Sequence, residues 1–139
     1  MVKTGRNTYG HLGLGDTNNR GDSGGEMGHN LDEVDLGTGF EAVSIGLGWL
    51  YSCFVSQSAE IKCFGRNNFG QLGYGDTQNR GDAAGEMGDH LIVVDLGNQF
   101  NVSLLSRGVN AIYICDGDYS SYRRWKCWGY VSSAFPVNF

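Results

Sequence analysis

Residues 65–76 read GRNNFGQLGYGD, and sixty positions earlier residues 5–16 read GRNTYGHLGLGD. The likeness runs past these stretches: over 5–40 and 65–100, 23 of 36 aligned positions carry the same residue. A third copy opens at Cys127-Trp128-Gly129 and then diverges into YVSSAFPVNF. Self-similarity at a long fixed period marks a repeat architecture, in which one unit alone does not bury its apolar face.

Short apolar segments precede each signature. Glu41–Gly46, Tyr51–Val55 and Ile61–Phe64 have counterparts in Val102–Leu105, Ala111–Cys115 and Trp125–Trp128. All are rich in β-branched and aromatic residues and bounded by glycine or polar turns, which predicts strands. Glycine recurs too often for a helical apolar stripe. Setting Cys53 opposite Cys63 places Phe54 against Lys62 and leaves Gln57-Ser58-Ala59 as a three-residue loop. The same rule sets Cys115 opposite Cys127, with Ser120-Ser121-Tyr122 at the tip. Alternation then puts Cys53, Val55, Ile61 and Cys63 on one face and Phe54 and Phe64 on the other. A sheet apolar on both faces needs a neighbour on both sides.

After each signature the chain makes a long glycine-rich excursion, to about residues 30 and 90, closing on Leu-x-x-Val-Asp-Leu-Gly. That closing run predicts a fourth strand at Leu31–Leu36 and Leu91–Leu96. Four short antiparallel strands per unit, stacked radially, is a β-propeller blade. The expected fold is therefore all-β: a partial β-propeller of four-stranded antiparallel blades with long glycine-rich loops. A single array over 1–139 divides into a partial first repeat (1–39), a complete blade (40–98), a partial blade (99–130) and a divergent tail (131–139).

Composition agrees. Among 139 residues there are 23 Gly and one Pro, with 12% aromatic and 18% charged residues. That is too apolar for a disordered chain and glycine-rich without the collagen period. No apolar run approaches the ~18 residues of a membrane span, so no membrane partner is expected. Net charge is -5 and the pI near 5.0. Nucleic-acid binders carry a basic patch, and Arg123-Arg124 beside Trp125 reads as solvated charge at a strand end, so direct nucleic-acid binding is not expected. The N-terminus lacks the apolar core of a secretory signal. Alignment puts Met1 opposite Ile61 and Lys3 opposite Cys63, so the chain starts inside a strand.

Gly65, Asn67, Gly70, Gln71, Leu72, Gly73, Gly75 and Asp76 spell G-x-N-x-x-G-Q-L-G-x-G-D. This resembles the signature of the regulator-of-chromosome-condensation repeat, as does the first copy, with His11 in place of Gln. Lys-Cys-Phe-Gly and Lys-Cys-Trp-Gly resemble the strand that precedes it. The resemblance implies a propeller, usually of about seven blades. Two departures stand out: the stretch from Asn79 to Gly88 and its twin from Asn19 are longer than the usual loop, and Gly108 to Lys126 is four residues longer than Gly48 to Lys62. A closed propeller needs about four blades or more. The chain is therefore expected to be a fragment of a longer propeller or, failing that, to self-associate into a ring.

Few residues suggest chemistry. Gly70-x-x-Gly73-x-Gly75 reverses the dinucleotide spacing and precedes no helix, so these glycines read as tight-turn positions. Asp16, Asp22 and Glu26, and their twins Asp76, Asp82 and Glu86, superficially resemble a calcium loop. Arg20 and Arg80 at the fifth position favour internal Arg–carboxylate pairs over a cation needing six to eight oxygens. No metal or other cofactor is expected. Arg20-Gly21-Asp22 and Arg80-Gly81-Asp82 spell an adhesion tripeptide but are ordinary turn chemistry. Cys53–Cys63 and Cys115–Cys127 form disulfides in an oxidising compartment or remain free thiols packed between blades. An extracellular location goes with pairing, a cytoplasmic one without it. His11, His29 and His90 lie in loops without a positioned partner, and the sequon at Asn101 falls on a predicted strand.

Nothing points to a nucleophile or an acid–base pair, so the chain is not expected to be an enzyme. The reading is a non-catalytic protein-interaction module, with loops 14–30 and 74–90 as its contact surface and an unidentified protein as partner. The family resemblance also implies two alternatives: guanine-nucleotide exchange on a small GTPase, and a secreted inhibitor or adhesion propeller.

Overall fold

A computed structural model of the chain describes residues 3–97, 102–107, 111–116 and 125–129. Six strands form two antiparallel meanders. The first sheet is β1 (Ala42–Leu47), β2 (Tyr51–Ser56) and β3 (Ile61–Gly65); the second is β4 (Val102–Arg107), β5 (Ala111–Asp116) and β6 (Trp125–Gly129), each in chain order. All six fall where the β-branched and aromatic runs predict them. Cys53 faces Cys63 and Phe54 faces Lys62. Ser56 closes the hairpin on Glu60, and Ala59 takes the left-handed conformation usual in three-residue loops. Both first strands carry the same register shift, between Ala42 and Ser44 and between Val102 and Leu104.

The second hairpin departs from expectation. Cys127 faces Tyr113, and Cys115 faces Trp125. Register is set from the opposite end of the blade, where Tyr51 pairs Gly65 and Ala111 pairs Gly129 at the repeat's own spacing. The four extra residues consequently fall wholly in the β5–β6 connection. Cys115 corresponds to Val55 and not to Cys53, and matching cysteine to cysteine displaced the pairing by two positions. A two-residue shift preserves which face each side chain occupies. The expected tip at 120–122, Arg123-Arg124, Asn101 and the tail 131–139 lie outside the described residues.

The expected fourth strand is an extended segment in the second copy, Leu91–Leu96, while its counterpart at Leu31–Leu36 carries a single bridge residue, Glu33. Among the described residues of the second-copy segment, Val94 N–H alone reaches β3 by a backbone bond, 2.8 Å from the Ile61 carbonyl. Beside it the Tyr74 hydroxyl takes the place of a strand partner. It accepts the Cys63 N–H at 2.9 Å and lies 2.9 Å and 3.1 Å from the Cys63 and Ile92 carbonyls. Burial pushes this hydroxyl up to about 12. Single 3-10 turns, Gly28–Asn30 and Gly88–His90, precede the segments; they are too short to leave a periodic signal.

Every residue of β2 and β3 is buried. One face carries Tyr51, Cys53, Val55, Ile61 and Cys63, packed with Leu72, Val94 and Val102 toward the second sheet. The other carries Phe54 and Phe64, stacked at 5.6 Å, packed with Leu36, Phe40 and Met87 toward the first repeat. The alternation predicted this split. Neighbouring repeats are also joined by polar links. Lys62, itself buried, donates to the Leu36 carbonyl at 2.6 Å and the Gly88 carbonyl at 3.3 Å. One repeat later Lys126 donates to the Leu96 carbonyl. Asp89 accepts the Thr38 N–H and hydroxyl at 2.6 and 3.1 Å.

Close approach explains the signature's central glycine. A Cβ on Gly13 would lie 2.6 Å from the Phe64 ring, and one on Gly73 2.7 Å from Trp128 Nε1. Both glycines also hold positive φ, +78° and +83°. Gly73→Ala is therefore expected to destabilise the fold by about 1–3 kcal/mol. Denaturant unfolding followed by tryptophan fluorescence measures this, and an unchanged midpoint would contradict the packing described.

Candidate interaction site: signature loops and an aromatic rim

The signature loop is built around a buried asparagine. Asn67 Nδ2 donates to the carbonyl and Oδ1 of Asp76, both at 3.1 Å, while its Oδ1 accepts the Leu72 N–H at 2.9 Å. Its own N–H reaches Asn79 Oδ1 at 3.0 Å. Asn7 repeats these contacts with Asp16, Leu12 and Asn19. Gln71 is buried; its Oε1 accepts the Phe69 N–H and its carbonyl accepts Trp128 Nε1. Gly10 sits where a Cβ would meet the Gly81–Asp82 backbone at 2.3 Å, so the second long loop leans on the signature of the repeat before it.

The acidic side chains are committed within their loops. Arg20 bonds Asp16, and Arg80 bonds Asp76, each at 2.7 Å. Glu86 accepts three successive N–H groups, from Gly81, Asp82 and Ala83, at 2.9–3.1 Å. Glu26 does the same with Gly21, Asp22 and Ser23. Asp22 and Asp82 accept the side-chain amides of Asn19 and Asn79. Among the described residues, no three acidic, His or Cys side chains are grouped to hold a metal ion. The Arg-Gly-Asp side chains likewise turn into their own loops.

Burial alone would raise the Asp76 carboxyl, but the Gln78 N–H, the Arg80 guanidinium and the Asn67 amide together hold it below the usual carboxylate range. Asp16 is lowered in the same way, with Arg20 the leading partner against the effect of burial. A lowered carboxyl stabilises the folded loop above the unfolded carboxyl value and loses that effect as pH falls through the folded one. Carboxyl carbon titration is expected to give both residues midpoints below that of an ordinary aspartate, and Arg80→Gln to move Asp76 upward alone.

Cys53 and Cys63 form a disulfide across directly opposed strand positions, with Cα atoms 4.1 Å apart. Cys127 is an exposed free thiol. Of the two alternatives left open for the second pair, Cys127 takes the free thiol, because β5 and β6 do not set Cys115 and Cys127 opposite one another. Closing a loop of about ten residues contributes about 2–3 kcal/mol in the chain-entropy view. Reduction is expected to lower stability by that amount. A thiol reagent applied to the native oxidised chain is expected to label Cys127 and leave Cys53 and Cys63 untouched.

A buried contact that sequence reading missed joins Lys3, His11 and Ser52. Lys3 Nζ donates to the His11 carbonyl and Ser52 Oγ and lies over the Phe64 ring. Burial lowers the Lys3 amine to about 8 and, with Lys3 adding to it, the His11 imidazole to about 4. A serine beside a lysine suggests a nucleophile and base, yet Ser52 is buried inside β2 and bonds the His11 carbonyl. It works as a tether between the first repeat and the first sheet.

The most exposed organised feature lies where β1 turns into β2 and β3 ends. There the Arg66 guanidinium is enclosed by three rings: Tyr9 at 5.3 Å, and Trp49 and Phe69 at 5.5 Å each. Trp49 is 57% exposed and Phe69 43%. Trp49 is held out by a tight turn in which Gly48 bonds Tyr51 and Leu50 adopts φ +65°, a conformation that favours glycine. Gly48 permits this because a Cβ there would meet the Tyr51 ring at 1.9 Å. Phe69 and Tyr9 are the aromatic fifth positions of the two signatures and Arg66 the second position of its own. Only Trp49 lies outside the motif. Its signal in the sequence, a large apolar residue inside a turn, is faint.

Sheets packed face to face and linked by glycine-rich signature loops define a partial β-propeller. Residues 42–71 match the Regulator of chromosome condensation (RCC1) repeat. A chain in the crystal structure of Kap60 bound to yeast RCC1 (Prp20) has a similar fold, with TM-score 0.57 and 18% sequence identity, covering 92% of this chain and 27% of that one. One stretch of the chain thus matches this repeat, the described residues share the propeller fold, and the chain spans about a quarter of the length of that yeast chain. No curated protein matches it significantly.

Proposed function

We propose that the chain is a non-catalytic protein-interaction module whose contact surface is the rim bearing Tyr9, Trp49, Arg66 and Phe69. The observation that carries this reading is an exposed tryptophan and phenylalanine gathered on an arginine. Tryptophan, tyrosine and arginine dominate binding hot spots, and a rigid propeller holds such side chains in place without an ordering cost at binding. The long loops 14–30 and 74–90 are self-satisfied in their hydrogen bonding and make a secondary surface. That the similar yeast protein was solved with Kap60 bound is in keeping with docking as the mode of action. The Cys53–Cys63 pair supports an oxidising compartment.

A photo-crosslinking amino acid at position 49 is expected to yield a discrete protein adduct, whereas the same probe at Val43, which is 64% exposed on β1, is not. With that partner purified, Trp49→Ala is expected to weaken binding by about tenfold or more while leaving the melting temperature unchanged. Equal labelling from both positions would remove this reading.

A further inference from the structure

The guanidinium at the centre of the rim is unlike the other arginines whose side chains are described. Arg6 bonds the Thr8 hydroxyl, and Arg20 and Arg80 are paired with carboxylates inside their loops. Arg66 is half-buried and held over three rings, but among the described residues its side chain has no carboxylate partner and its buried Nε makes no hydrogen bond. In a chain of net charge -5, an arginine that meets no carboxylate among the described residues is a conspicuous arrangement. Aromatic faces satisfy the ring-like π surface of a guanidinium. They offer its N–H groups no oxygen acceptor, and a donor left without one in a partly desolvated place, as Arg66 Nε is, is costly.

We infer that Arg66 is the specificity anchor of the rim and takes a carboxylate from an acidic segment of the partner protein, with Trp49, Tyr9 and Phe69 covering the apolar side chains beside it. This rests on the protein-interaction reading above. A carboxylate matches the guanidinium fork in a planar, two-bonded geometry. A phosphate monoester is the poorer match, since a single arginine without further cations or converging backbone N–H groups faces a dianion in an acidic protein. The surrounding rings leave Arg66 half-buried, which strengthens a charge pair there relative to a fully exposed one.

The experiment selects a displayed library of unphosphorylated short peptides against the full, oxidised chain. Wild type is expected to enrich peptides combining Asp or Glu with an aromatic or aliphatic residue. Exchanging the selected Glu for Gln in the synthetic peptide should weaken binding by about tenfold or more, a comparison that needs no protein variant. Arg66→Gln should abolish the acidic enrichment, and Arg66→Lys, which keeps the charge but loses the fork, should leave an intermediate affinity. Binding should also fall with added salt. Enrichment of neutral peptides that depends on Trp49 would overturn the role of Arg66 while leaving the interaction surface intact. So would acidic peptides that bind Arg66→Lys and wild type alike. Displacement of the peptide by inorganic phosphate at lower concentration than by acetate would replace the carboxylate with a phosphate ligand. Failure of wild type to enrich any peptide would remove both this inference and the reading beneath it.

Discussion

A two-layer problem governs this molecule: β2 and β3 are apolar on both faces, and water must be kept from each. Neither face is covered by the sheet's own hairpins. Cover comes from the repeat before, through Leu36 and Phe40, and from the sheet after, through Val102 and Trp128. Contact at that closeness demands residues that take no room. A glycine in each signature lies under an aromatic ring of the following unit, so the glycine and the ring are one interaction divided between two repeats.

Polar links follow the same division. The lysine of the third strand reaches back to the closing carbonyl of the preceding repeat, Lys62 to Leu36 and Lys126 to Leu96. Loop interiors are by contrast self-contained: the asparagine, the arginine–aspartate pair and the glutamate under three N–H groups satisfy one another inside each excursion. Stability is thereby shared between units, while the loops keep their shape by local bonds. This separation lets a loop vary without loosening the stack.

Much of the fold was legible because its signals are short in range. Period-two alternation located the strands and their two faces, and the repeat spacing located the signatures. Two features escaped. The register of β5 and β6 was misread because cysteines were taken as equivalent, when the anchor is the Gly65 and Gly129 end of the strand. The fourth strand was overcounted in the second copy, where the alternation is real but the Tyr74 hydroxyl takes bonding positions a ladder would use; in the first copy Leu14 stands in its place and Glu33 keeps a bridge. Of the rim, Arg66, Tyr9 and Phe69 occupy unspecified positions of the signature and were not singled out. Their convergence on Trp49 was not legible either, since it joins two repeats and a turn through folding alone.

The longer β5–β6 connection shows how such an array can be altered. Pairing is fixed at one end of the hairpin, so added residues gather at the other and none of them disturbs the stacked rings or lysine links. That free end is a natural grafting point: sequence of varied length and character can be carried there while the sheet beneath keeps its alignment. The architecture thus tolerates growth at its periphery and resists it at the seam between units.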